Sequence, residues 1–163
     1  QGTAGRLRRT LCSGTLKACH SRMTQQISIA EKQEALAEDF LVFDDWMDRY
    51  QLLLDKAKAM APLPEAERRD DMKVPGCQSQ VWVEVKLVDG RMQIRAASDA
   101  LITAGLIALL VEVYSGHTPA EIVAAPFTLA ERIGLGSHLS PSRANGFANM
   151  VKRIRAEAAR LAT

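Results

Sequence analysis

One thiol stands apart in this chain. Cys77 lies in Val74-Pro75-Gly76-Cys77-Gln78-Ser79-Gln80-Val81-Trp82, on a Pro-Gly turn directly before an alternating run. Pro75-Gly76 is a turn signal, and Gly76 has no side chain to shield its neighbour. The expectation is a cysteine that is presented rather than buried. The competing reading is a small apolar core residue, because free cysteines are mostly buried. Cys77 is the only cysteine after residue 22. A lone displayed thiol suits reversible covalent chemistry better than a disulfide or a metal site. Its nucleophile is the thiolate, which nearby positive charge or hydrogen bonds favour. Lys73, His138 and Arg143 are the candidate neighbours, provided that the loop over 134–143 approaches the thiol.

Each of these residues also has a plainer reading. Arg143 falls in the first turn of a predicted helix, where the dipole does not favour a cation. That mismatch hints at a specific partner, but a solvent-facing arginine is the better reading from the residue alone. His138 and His117 read as loop histidines, Asp99 as a helix N-cap or first-turn acid, and Trp82 as a strand anchor. Other chemistries find little support. Gly134-Leu135-Gly136 is a weak match to a phosphate-binding loop. Cys12 and Cys19-His20 fit no standard zinc spacing. No cysteine pair after residue 22 supports thioredoxin-type redox work.

The elements that must position Cys77 can be read from periodicity. Ser28 is a helix N-cap, and Leu36, Phe40, Phe43, Met47, Tyr50 and Leu54 recur at three- and four-residue steps. They mark one helix, or two broken near Asp44-Asp45, ended by Pro62 and Pro64. Glu65 to Lys73 is charged and predicts a solvated loop or short helical turn. Val81, Val83, Val85 and Leu87 alternate with Trp82, Glu84 and Lys86, Asp89-Gly90 supplies a turn, and Met92, Ile94 and Ala96 return. This predicts a hairpin with one face partly exposed. Ser98-Asp99 then caps a helix from about Ala100 to Tyr114. It has no charge between Asp99 and Glu112, and it is too short to span a bilayer, so it reads as the buried central helix. Thr118-Pro119 opens a short helix, a further one runs from about Phe127 to Ile133, and Ser140-Pro141 opens the last. That helix carries Phe147, Met150, Val151, Ile154, Ala158 and Leu161 as its apolar stripe.

At 163 residues and 47% hydrophobic, the chain is long enough for one domain with a sizeable core. The formal charge is +2, but residues 1–22 hold Arg6, Arg8, Arg9, Lys17 and Arg22 with no acid, which leaves −3 on residues 23–163. The body is mildly acidic, which argues against nucleic acid as the main ligand. Residues 1–22 are basic and rich in Ser, Thr and Gly, and no apolar signal region follows their arginines. An organelle-targeting segment has this composition, and so does an added leader, which Met23 and the absence of Met at position 1 favour. The expected division is a basic leader over 1–22 and a single domain over 23–163. The cysteine usage suits a reducing compartment, and the expected location is cytoplasmic.

Four motifs, in order, resemble the SufE family of sulfur acceptors in iron–sulfur cluster assembly. Gly76-Cys77-Gln78-Ser79-Gln80-Val81-Trp82 is similar to the family's active-cysteine motif. Ser98-Asp99-Ala100 with Gly105-Leu106-Ile107-Ala108 resembles its central segment, and Ser115-Gly116-His117-Thr118-Pro119-Ala120-Glu121-Ile122 its following turn. His138-Leu139-Ser140-Pro141-Ser142-Arg143-Ala144-Asn145-Gly146 resembles its C-terminal motif. The similarity runs through most of residues 36–161.

The resemblance implies an α+β fold of the SufE/NifU-like kind, a small, mostly antiparallel sheet of about three strands packed against several helices. It implies that Cys77 takes persulfide sulfur from a pyridoxal-phosphate cysteine desulfurase of the SufS or CsdA type, stimulates that enzyme, and relays the sulfur to a cluster-assembly scaffold. Pyridoxal phosphate would belong to the partner, and this chain would need no cofactor, metal, nucleic acid or membrane. Gln78, Asp99, His138 and Arg143 fall on motif positions and are implied to position Cys77 or dock the desulfurase. A pocket sheltering Cys77 at rest is expected, since a free persulfide is easily reduced or oxidised. The alternatives are a cluster scaffold, which would call for several thiolates, and a regulator that binds the desulfurase without taking sulfur.

Overall fold

The computed structural model describes residues 26–163. The basic leader, Cys12 and Cys19-His20 lie outside the described residues. Helix α1 (Ile29–Leu41) starts at Ser28, whose side chain and Glu31 form a capping box. The chain then breaks where Asp44-Asp45 predicts. Asp45 Oδ1 accepts from Met47 N at 2.9 Å and caps α2 (Trp46–Ala59).

Strands β1 (Val81–Val88) and β2 (Arg91–Ser98) form the predicted hairpin, with Val83 opposite Ala96 and Val85 opposite Ile94. Asp89 and Gly90 both take positive φ, as the tight hairpin turn demands. Among the described residues the sheet has two strands rather than about three. Residues before β1 make a single antiparallel bridge, Lys73 to Trp82, and Val74 N donates to Val81 O at 2.9 Å. Pro75 then offers no N–H and Gly76 turns at φ 76°, so the ladder cannot continue.

The hairpin's inner face buries Val81, Val83, Met92, Ile94 and Ala96 in the main core. Its outer face is less open than its alternation predicts. Met72, from the stretch expected to be solvated, and Leu63, between Pro62 and Pro64, form a small second cluster with Ala97 and Trp82. Arg68 lies over the Trp82 ring, and Arg95 pairs with Glu84 across the strands.

Helix α3 (Leu101–Tyr114) is the buried centre, with ten of its 14 residues inside. Gly105 lets α2 pack against it closely, because a Cβ there would come within 2.6 Å of the Leu53 side chain. Two short helices, α4 (Pro119–Ala124) and α5 (Leu129–Arg132), lead to α6 (Pro141–Leu161). Thr118 and Ser140 cap α4 and α6 as their sequence signals predict. His117 lies in the turn after α3, as its loop reading expects, but it is buried. It is 1% exposed, and its carbonyl accepts from Met92 N at 2.8 Å, which ties the turn after α3 to the start of β2. No described helix is long and apolar enough to cross a membrane.

Candidate functional site

Cys77 occupies the turn between the bridge residue Lys73 and β1. The base of this turn is fixed by backbone. Val74 N reaches Val81 O, Asp99 N reaches Gln80 O at 3.3 Å, and Gln80 N donates to Asp99 Oδ1 at 2.9 Å. Asp99 therefore does not cap α3, as its position suggests. The N-cap is Ala100, which has no side chain to offer, and Asp99 anchors the exit of the cysteine loop instead.

Side chains hold the tip. Ser142 Oγ donates to Gln78 Oε1 at 3.0 Å, and Thr103 Oγ1 to Ser79 Oγ at 3.5 Å. The Cys77 thiol lies 3.5 Å from the carbonyl of Gly146, which accepts its proton. Gly76 permits this seating, and Gly146 lies against the sulfur. A Cβ on Gly76 would collide with the Asn149 amide, and one on Gly146 would lie 3.4 Å from Cys77 Sγ.

The expected presentation of Cys77 is thus only half met. The residue is half-buried, with its sulfur turned towards α6. Beside it lies a cavity of about 10 Å³, room for one water-sized atom. Thr103 and Leu106 of α3 line it on one side, and Ser142, Arg143, Gly146 and Met150 of α6 on the other. Burial pushes the Cys77 thiol above its ordinary pKa of 9.0, and no charged group among the described residues opposes that rise. The seated sulfur is therefore a protonated, quiet thiol.

Of the three candidate cations, only Arg143 reaches the cavity rim. It occupies the first turn of α6, and its backbone N donates to Ser140 Oγ at 3.3 Å. Its guanidinium makes no ion pair with any described carboxylate. Lys73 turns away, pairing with Asp70 at 3.0 Å and lying over Trp82. His138 also stands apart from the cavity. Its ring stacks on Trp46 at 3.6 Å, and its carbonyl accepts from Tyr50 Oη at 2.6 Å. Gln78 does belong to the cavity wall. Sequence reasoning missed Thr103, Ser142 and Gly146 as parts of the site. The one available signal was Gly146 itself, because a glycine inside a predicted helix costs about 1 kcal/mol and so implies a close approach.

Residues 34–158 match the SufE family, described as an Fe-S metabolism associated domain. This chain belongs to the SufE family. Among its relatives is an uncharacterized SufE-like protein of Rhizobium etli, 41% identical over 131 residues, covering 77% of this chain and 88% of that one. An uncharacterized SufE-like protein of Synechocystis is 39% identical over 123 residues, covering 76% and 77%. In structure, this SufE-family chain is similar to a hypothetical protein from Thermus thermophilus solved in solution. The TM-score is 0.67 at 22% identity, covering 80% of this chain and 95% of that one, so the shared property is the fold. The matched segment contains one cysteine, Cys77.

Proposed function

We propose that this protein accepts a sulfane sulfur on Cys77 from the persulfide of a pyridoxal-phosphate cysteine desulfurase and relays it to an iron–sulfur cluster assembly scaffold. The observation that carries this reading is the loop itself. One thiol sits at the tip of a turn whose base is held by backbone hydrogen bonds and whose tip is held by side-chain contacts of 3.0–3.5 Å. Such a tip can leave its seat while its base stays fixed. The Cys77 loop then has two positions, inward at rest and outward when docked.

The transfer balances without metal or oxidant. The Cys77 sulfur attacks the outer sulfur of the partner's persulfide, forming a new S–S bond. The partner's S–S bond breaks, and its cysteine sulfur leaves with the bonding electrons and takes up the proton that Cys77 gives up. Clearing the partner's persulfide in this way stimulates the enzyme. Arg143 at the cavity rim faces the anion that forms, Asp99 and Gln78 position the loop, and His138 belongs to the docking face. The reaction uses a reduced thiol, consistent with the cytoplasm.

The test is to incubate the protein with a SufS-type cysteine desulfurase and cysteine, then look by intact mass for one added sulfur that maps to Cys77. Cys77→Ser should gain none. If Cys77→Ala still stimulates the desulfurase fully, the protein is a regulator and the acceptor reading fails. Hydrogen exchange over residues 74–80 that ignores added desulfurase counts against the two-position loop.

A further inference from the structure

Four of the eight exposed large hydrophobic side chains among the described residues lie at one end of the molecule. Val42 is 77% exposed, Met47 71%, Leu41 51% and Leu101 72%. Three of them belong to the corner between α1 and α2. The fourth joins them because α2 and α3 run in the same direction. Leu53 packs on Gly105 and, further along both helices, Lys56 reaches Glu112 at 2.9 Å, so the two N-termini share an end.

The corner is also strongly acidic. Glu38, Asp39, Asp44, Asp45 and Asp48 are all exposed, with no cation between residues 38 and 48. None pairs with a described cation. Arg49, next in sequence, is turned inward, donating to Phe43 O at 2.8 Å and Ile133 O at 3.3 Å. Glu38 and Asp39 sit in the last turn of α1, where the helix dipole disfavours negative charge and no base offsets it. An apolar patch ringed by acids that lack a described cationic partner is complementary to an apolar surface bordered by Lys and Arg.

The corner adjoins the thiol. Trp46 stacks on His138, and Ser142 holds Gln78. His138 and Ser142 are four chain steps apart, so about 14 Å at most. A standard interface covers about 800 Å² per partner, a disc about 16 Å in radius. Such a disc is about 32 Å across, so one footprint can hold Cys77 towards one side and Trp46, at the start of α2, towards the other.

We infer that the α1–α2 corner is the affinity-setting part of the desulfurase dock, and that the desulfurase meets it with apolar side chains bordered by lysine or arginine. This rests on the acceptor reading above. Two variants test it against a purified SufS-type desulfurase by calorimetric titration. Val42→Ser/Met47→Ser removes the apolar contact, and Asp39→Lys/Asp44→Lys reverses charge while improving the end of α1. Each should raise Kd about tenfold or more, and the charge reversal should also flatten the salt dependence of binding. The isolated variants should alkylate at Cys77 at the wild-type rate. Kd values within about twofold of wild type for both variants, while the wild type still gains sulfur, would overturn the inference and leave the acceptor reading standing. A wild type that gains no sulfur sinks both. If the serine variant fails to fold, the charge reversal decides alone.

Discussion

The Cys77 thiol donates to the carbonyl of Gly146 across 3.5 Å, and Gly146 presents only hydrogen to it. A sulfur held this way is partly desolvated and has no counter-charge, so the fold stabilises the neutral thiol. This makes the resting state unreactive by construction, and it sets the first expectation. The rate of iodoacetamide alkylation at Cys77, followed on its own peptide, should rise with a midpoint above the ordinary 9.0 in the folded protein. In urea it should fall back to about that value. The sign for stability follows. The contribution from the neutral thiol is complete below the unfolded pKa and is lost as pH climbs through the raised folded one. Identical midpoints in both states would remove the claim that the seat quiets the thiol.

Gly76 bears on the same seat from the backbone. It holds φ 76°, and an added Cβ would strike the Asn149 amide. Gly76→Ala should cost about 1–2 kcal/mol from the left-handed backbone alone, with a further cost for moving Asn149. Because the strain is at the tip, it should favour the outward loop. Alkylation of Cys77 should quicken several-fold, with faster hydrogen exchange over residues 74–80. A variant that unfolds more easily yet leaves both local rates unchanged would place the strain elsewhere.

Arg143 offers a way to separate folding from chemistry. It stands in the first turn of α6, where a carboxylate would suit the helix dipole better than a guanidinium. Arg143→Glu should therefore hold or raise thermal stability, by about 0.5 kcal/mol, while slowing sulfur uptake about a hundredfold, the lower end of the scale for one contact at a reacting anion. Arg143→Lys should recover most of the rate. Loss of stability without loss of transfer would make this arginine a structural residue.

What could be read in advance, and what could not, divides along physical lines. Ser28, Asp45, Asp89-Gly90, Thr118-Pro119 and Ser140-Pro141 act on backbone within a few residues of themselves, and each produces its element where its chemistry predicts. Asp99 was legible as an acid before a helix, but its real bond runs to Gln80, nineteen residues back, which no local rule reveals. The cavity has the same character. Cys77 and Gly146 are 69 residues apart and meet only because α6 packs beside β1 and the loop before it. The missing third strand failed at a specific place, Pro75, which cannot donate. His138 and Lys73 looked like partners for the thiol, and aromatic rings hold both away from it.

His117 carries a prediction that nothing in its motif announces. The imidazole is buried, Nε2 has no hydrogen-bond partner among the described residues, and Nδ1 lies 3.7 Å from Glu121. Burial depresses its pKa below the ordinary 6.5, Lys32 and Arg91 push the same way, and Glu121 opposes them. The fold therefore holds this histidine neutral. Its contribution is complete above pH 6.5 and is lost as pH falls below that value, because the unfolded chain then binds a proton that the folded chain refuses. One such proton gives a slope of at most about 1.4 kcal/mol per pH unit. Glu31, Glu84 and Glu121 are all held below their ordinary 4.5, so their losses belong to more acidic solution. Urea midpoints measured at about pH 7.5 and about pH 5 should fall on acidification in the wild type, and His117→Gln should flatten the difference. An equal fall in both proteins would assign the acid sensitivity to another group.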